Sequence, residues 1–236
     1  MLQPLLISPP FGSYLNVRWG TSIAGSFTTE PRPGLWSQVA KTVRPIKGGW
    51  VNNVGLRNPG IRNIEFDRDK VYSIAAVHEA DYDVFLDVVP RDVMVEINLG
   101  CPNIHSRPVL GDFSYFVKKH PIVIAKLPPP CVDHCYRWAH RCYKMGVRYF
   151  HMCNTIPTER GGESGDRLRH ESTTAIRWLR EFMPDNIRII GGGGIYSPHH
   201  VDEYHDAGAD LFSISTACIT PWRIPAIIDR VWRDIS

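Results

Sequence analysis

Apolar residues along this chain gather into short runs, and between many of those runs they spread out to the spacing of one helix face. The runs at 21–27, 50–54, 71–77, 93–97, 122–127, 147–152, 187–190 and 211–215 predict eight strands. Runs this short and continuous suit strands covered on both faces, as in a parallel sheet. The spread pattern predicts helices at about 79–89, 112–120, 132–145, 170–183, 198–207 and 224–235. Ser197-Pro198 opens one of these in N-cap and first-turn order, and Gly208 closes it. Strand and helix alternate through the second half, and eight strands are the number that closes a (β/α)8 TIM barrel. The expected fold is therefore α/β, a single barrel domain over residues 1–236 with its site at the carboxyl ends of the strands. A doubly wound sheet is the alternative that the same alternation allows. Residues 28–49, rich in Pro and Gly and without a helical period, read as a long βα loop over the active face.

A length of 236 residues holds one full core and leaves no room for a second large domain. With 27 basic and 24 acidic side chains the net charge is +3, and no block of like charge marks a polyanion surface, so nucleic acid is not expected as a partner. The opening Met1 to Pro10 lacks a basic start and is broken by prolines, which indicates neither a signal peptide nor a membrane span. A soluble, cytoplasmic protein is expected. Six cysteines without a C-x-x-C pair suggest reduced thiols. Cys131, His134, Cys135 and Cys142 could be drawn as a metal site, but Cys135 and Cys142 fall at i, i+7 on a helical stretch beside Trp138 and Ala139. That is the spacing of a buried face, and no metal is expected.

Candidate chemistry collects where strands end. In Glu96-Ile97-Asn98-Leu99-Gly100-Cys101-Pro102-Asn103 a thiol stands between two carboxamides just past an apolar run. A thiol there can take a proton and carboxamides can orient a planar polar ligand, although the same residues also serve as turn formers and a small buried hydrophobe. Gly191 to Gly194 end another strand ahead of a helix, where glycine lets amides approach an anion and the helix terminus adds positive charge; an ordinary tight turn is the other reading. The next strand ends at Ser213 to Ala217, and strands seven and eight of a barrel commonly share a phosphate site. Gly161 to Gly165 lie in the loop after the sixth strand and offer further amides. Lys126 ends a buried strand, where it either stabilises negative charge or reaches out to solvent. Asn52 and Asn154-Thr155 put more amide and hydroxyl groups at strand ends.

Taken in order, these residues resemble the dihydroorotate dehydrogenase family, in particular its soluble, cysteine-using class. Thr28-Thr29-Glu30-Pro31-Arg32-Pro33-Gly34 matches the family's Thr-x-Glu-x-Arg-x-Gly loop, and Asn52 to Gly60 its Asn-x-x-Gly-Leu-x-Asn-x-Gly segment. The Asn-Leu-x-Cys-Pro-Asn core falls at 98–103 and Lys126-Leu127-Pro128-Pro129 matches Lys-Leu-x-Pro. Asn154-Thr155, Gly161 to Gly165 and Gly191 to Ile195 follow in the family's order. The resemblance implies FMN, with its phosphate at Gly162, Gly193, Gly194, Ser215 and Thr216 and its ring near Ser26, Asn98 and Lys126. It implies that Lys126 stabilises the reduced flavin and that Asn52, Gly55, Leu56, Asn98, Asn103, Asn154 and Thr155 hold a pyrimidine and its carboxylate. Cys101 matches the catalytic base, which takes the C5 proton of dihydroorotate while C6 delivers a hydride, giving orotate. A homodimer is expected, with a small-molecule pyrimidine as substrate.

Two departures bear on that expectation. The family has Thr-Lys-Ser at the end of the first strand where this chain has Ala24-Gly25-Ser26, so a lysine near flavin and carboxylate is missing unless Arg18 or Lys41 replaces it. Ser215 stands where the phosphate-binding strand end usually has glycine. The rivals are a flavin reductase or dehydrogenase of another pyrimidine, an FMN-binding protein with little turnover, and tRNA dihydrouridine synthase, whose Asn-x-Gly-Cys-Pro is also satisfied at 98–102. The last carries an RNA-binding helical domain that this sequence does not show. As electron acceptor, fumarate needs no partner, NAD needs an iron-sulfur flavoprotein subunit by family analogy, and a quinone goes with an amino-terminal extension.

Overall fold

The computed structural model describes residues 1–100, 109, 111–128 and 132–233, with the backbone alone at 132–134. Its strands are β1 (Leu5–Ile7), β2 (Thr21–Phe27), β3 (Arg44–Ile46), β4 (Gly49–Asn52), β5 (Val71–Ile74), β6 (Met94–Asn98), β7 (Val123–Lys126), β8 (Tyr149–Met152), β9 (Ile156–Thr158), β10 (Gly161–Gly165), β11 (Arg188–Gly192) and β12 (Leu211–Ile214). Its helices are α1 (Leu35–Thr42), α2 (Asp81–Val88), α3 (Ser114–Lys119), α4 (Val132–Lys144), α5 (Asp166–Phe182), α6 (Pro198–Asp206) and α7 (Ile224–Arg233). Eight parallel strands close on themselves in the order β1-β12-β11-β8-β7-β6-β5-β2, with helices between them. This is the (β/α)8 barrel that the strand–helix alternation predicts, and it excludes the open doubly wound sheet.

Side chains alternate in and out along each strand, so the barrel interior is built in layers. The lower layer is apolar: Leu6, Ile23, Val71, Met94, Ile124 and Ile190 form a plug of their own, with Tyr149 and Leu211 against it. Outward-facing residues such as Leu5, Ile7, Val95, Ile97, Ala125, Phe150 and Ile189 belong to the larger core shared with the helices. Two positions on along the same strands the interior changes character, to Ser8, Gly25, Ser73, Glu96, Lys126, His151, Gly192 and Ser213. A buried polar layer is costly unless its members satisfy one another, and here it lies directly beneath the carboxyl ends of the strands.

Three sequence expectations need correction. The run at 50–54 is no barrel strand: as β4 it pairs antiparallel with β3 and β10, in a side sheet of order β3-β4-β10-β9. The eighth barrel strand is instead β1, three residues between Pro4 and the Pro9-Pro10 pair, too short for a periodicity to register. Residues 28–49 are not all loop, since they contain α1 and β3. Helix α1 is two turns long and buries none of its residues, so no run of core positions marks it out in the sequence. Gly161 to Gly165, read as loop, are strand β10.

The side sheet has a topological consequence. Strands β3 and β4 lie in the connection from β2 to β5, and β9 and β10 in the connection from β8 to α5. In the closed order β2 and β8 stand on opposite sides of the barrel. Their connections therefore meet across the mouth and roof it.

Candidate active site

On one side of the barrel the polar layer is joined to the strand ends by a continuous series of hydrogen bonds. At its centre the Glu96 carboxylate, fully buried, accepts from Ser73 Oγ at 2.8 Å through Oε1 and from His151 Nδ1 at 2.6 Å through Oε2. Ser73 Oγ lies 2.8 Å from Ser26 Oγ. Asn98 Nδ2 donates to Ser26 Oγ at 2.9 Å, and Asn154 Nδ2 donates to Asn98 Oδ1 at 2.9 Å and to the Leu127 carbonyl at 3.2 Å. On the other side of the barrel Ser8 and Ser213 share a bond of 2.5 Å.

Burial alone would push the Glu96 carboxyl up, but the Lys126 ammonium, His151 and the Ser73 hydroxyl together outweigh it and hold the group down at about 2. Burial pushes the His151 imidazole down, against the pull of Glu96. The consistent state is an ionised Glu96 accepting from a neutral His151, with Lys126 as the cation. Lys126 stands in register between Asn98 on one neighbouring strand and His151 on the other, so the charge pair and both carboxamides share one end of the barrel.

In the connection after β2 one buried side chain bonds four groups. Asn58 Oδ1 accepts from the Thr28 and Gly60 amides at 3.2 and 2.8 Å, while its Nδ2 donates to Thr28 Oγ1 at 2.9 Å and to the Leu56 carbonyl at 2.7 Å. This sets Gly55 (φ 70°) and Leu56 (φ 53°) in left-handed conformations, unusual for leucine. Asn58→Ala leaves several buried groups without partners and is expected to cost about 2–4 kcal/mol in a denaturant melt. A loss under about 0.5 kcal/mol would show that the loop is held elsewhere.

The sequence-based site residues fall into three groups. Ser26, Asn98, Lys126 and Asn154 are brought together, and Thr155 follows directly on Asn154. The glycine turn at Gly193 (φ 104°) and Gly194 (φ 69°) sits against the connection after β8, because a Cβ on Gly194 would come within 2.4 Å of the Gly165 carbonyl. Gly165, not Gly162, touches this turn; Gly162 pairs with Asn52, whose Nδ2 donates to the Gly162 carbonyl at 3.4 Å. Asn52 thus sits in the roof rather than at a barrel strand end. Ser215 does not crowd the turn with its hydroxyl, which is tied to the Pro9 carbonyl at 3.0 Å, and Thr216 Oγ1 bonds the Tyr196 hydroxyl at 3.1 Å. Cys101 and Asn103 lie outside the described residues, as does Cys131.

Gly25 is a backbone requirement in this chain. With φ at 124°, a Cβ there would lie 2.5 Å from the Ser73 carbonyl and 3.2 Å from the Phe27 ring, so a lysine cannot occupy the position without moving β2. Arg18 and Lys41 are both exposed. Among the described residues no group of three His, Cys, Asp or Glu side chains could hold a metal ion, and no helix is long and apolar enough to cross a membrane. Cys135 and Cys142 are buried. Glu96, Ser73, His151 and Asn58 were not singled out as site residues from sequence. A carboxylate and an imidazole within apolar strand runs were the available signal.

A family model described as dihydroorotate dehydrogenase matches residues 143–236. The chain is 28% identical over 249 residues to the catalytic subunit of dihydroorotate dehydrogenase B (NAD(+)) of Endomicrobium trichonymphae, covering 91% of this chain and 79% of that protein. It is 27% identical over 264 residues to the protein of the same name from Bacillus thuringiensis (strain Al Hakam), covering 94% and 83%. Among solved structures it resembles the DHODH of Eimeria tenella in its ligand-free type, at TM-score 0.74, 18% identity and coverage of 98% and 83%. The ferulenol complex of that enzyme gives TM-score 0.72, 17% identity and coverage of 98% and 81%. At those identities the structural likeness speaks for the fold.

Proposed function

We propose that the chain is a divergent member of the dihydroorotate dehydrogenase family and that it oxidises dihydroorotate to orotate with FMN bound at the carboxyl ends of the barrel strands. The observation that carries this proposal is the joined set Ser26–Asn98–Asn154, three groups of fixed donor and acceptor sense beside the Lys126 ammonium. The residues present suit the cofactor: a left-handed glycine turn with no room for side chains, hydroxyl-bearing Ser215 and Thr216 just past the next strand, and the half-buried Lys126 cation at the mouth. Gly193, Gly194, Ser215 and Thr216 would hold the phosphate, with Gly165 nearer to it than Gly162. FMN, when bound there, supplies a two-electron acceptor for the hydride leaving C6 of the substrate.

This chain's own residues do the rest. Cys101 Sγ takes the proton from C5, and since the free thiol titrates at about 8.5, the rate should rise with pH through the thiol's pKa. Asn98 has one Nδ2 proton left for a ligand after its bond to Ser26, and Asn52, Gly55, Leu56, Asn103, Asn154 and Thr155 complete the pyrimidine site. Lys126 holds negative charge at the ring, and the roof of β3, β4, β9 and β10 excludes water. The relatives' names, catalytic subunits of NAD(+)-linked enzymes, favour NAD(+) as final acceptor, reached through a second subunit.

A second substrate is favoured by one observation. The backbone at Gly25 admits no cation for a carboxylate, which suits a neutral dihydropyrimidine such as dihydrouracil. Steady-state oxidation with a dye acceptor separates the two: turnover of dihydroorotate with orotate as product supports the lead proposal. Turnover of dihydrouracil alone replaces it with the second, and failure of the reconstituted protein to turn over either sinks both.

A further inference from the structure

Resting on the flavin and pyrimidine site proposed above, we infer that Glu96 and His151 are positioning residues: their buried pair sets the direction of the hydrogen bonds at Ser73 and Ser26, which meet Asn98, and supplies the counter-charge to Lys126. An ionised carboxylate only accepts. Both Glu96 oxygens are used, so Ser73 Oγ must spend its proton on Oε1 and His151 must carry its proton on Nδ1 to bond Oε2. With its own proton committed, Ser73 can only accept from Ser26, although distance alone would allow either sense. Ser26 then has no proton left for Asn98 and accepts from Nδ2. The Asn98 amide is held with Nδ2 toward Ser26 and Oδ1 toward Asn154 Nδ2, the orientation that the Gly100 amide and the Leu127 carbonyl behind Asn154 also require. The charge at the barrel centre thus leaves Ser26 only an acceptor toward Asn98, and a neutral group in its place would free the Ser73 and Ser26 hydroxyls to turn.

His151 keeps that charge in place. It is almost wholly buried, and its Nε2 faces β11 and β12, where a Cβ on Gly192 would lie 3.3 Å from it and 3.1 Å from the Ser213 Cβ. Glycine at 192 leaves the ring its room. The groups facing the pair from the adjoining strands are Ser73 on β5 and Lys126 on β7, so with a neutral imidazole the layer holds one anion and one cation.

The test has one arm without flavin and two with it. In nitrogen-15 NMR of the FMN-free protein, His151 is expected as a neutral Nδ1–H imidazole at neutral pH and on mild acidification. An Nε2–H tautomer, or titration near the ordinary histidine value, would overturn the inference. In the FMN-loaded enzyme, Ser73→Ala keeps the Glu96–His151 pair but cuts it from Ser26. The expected result is an unchanged imidazole signal with KM for the dihydropyrimidine raised about tenfold; an unchanged KM contradicts it. Glu96→Gln leaves Lys126 without its counter-charge and is expected to move the flavin midpoint potential to more positive values, whereas an unmoved potential removes the charge role. Should Glu96→Gln fail to fold, the other two arms still decide. A protein that binds no FMN counts against the proposed function, while the imidazole signal judges the pair by itself.

Discussion

Cys101→Ala is expected to slow reduction of the bound flavin by dihydroorotate by about 10²- to 10⁴-fold while FMN remains bound. The size follows from the role: a positioned base that takes the C5 proton accelerates the step by that order, and alanine offers no proton acceptor. The cofactor should be retained because its proposed contacts lie elsewhere, at the Gly193-Gly194 turn, Thr216 and Lys126. Anaerobic stopped-flow mixing measures the rate and the visible spectrum of the protein measures occupancy. A reduction rate within about threefold of the unaltered chain would take the proton from Cys101 and give it to another group. Loss of FMN together with the rate would make Cys101 a binding residue instead.

The second large effect is on stability. Lys126→Met removes the cation whose charge helps to hold buried Glu96 ionised, a through-space attraction worth on the order of 2–3 kcal/mol, since His151 and Ser73 still bond the carboxylate. The pH dependence has a definite sign. Glu96 titrates lower in the folded chain, at about 2 against an ordinary 4.5, so its contribution is complete above the ordinary value and lost as pH falls toward 2. Without Lys126 the folded value rises and part of that contribution disappears at neutral pH. Urea unfolding at pH 7 should show the loss of stability, and an equal stability in both proteins would mean that Lys126 is not the counter-charge of Glu96.

The barrel was legible because its middle and later strands are continuous apolar runs separated by helical spacing, a pattern that only burial on both faces sustains. The errors occurred where that pattern carries no information. Leu5 to Ile7 are too few to show a period, and Gly49–Asn52 is apolar at Trp50 and Val51 in the same manner as a barrel strand, although it pairs antiparallel at the roof. Asn98, Asn154 and Lys126 could be found from their places just past strand runs. The residues that orient them could not, because Ser73, Glu96 and His151 become neighbours only when the sheet closes and brings β5, β6 and β8 around one axis. Gly25 illustrates the same limit: the missing side chain is visible in the sequence, but the positive φ and the Ser73 carbonyl that exclude one are properties of the fold.

The central claim, a flavin site that oxidises a dihydropyrimidine, is tested most directly by an anaerobic half-reaction. The purified chain is reconstituted with FMN, freed of excess, and titrated with dihydroorotate while its visible absorption is followed. The expected result is stoichiometric bleaching of the flavin band with release of orotate. A chain that binds FMN but whose band is unchanged by both dihydroorotate and dihydrouracil would contradict it.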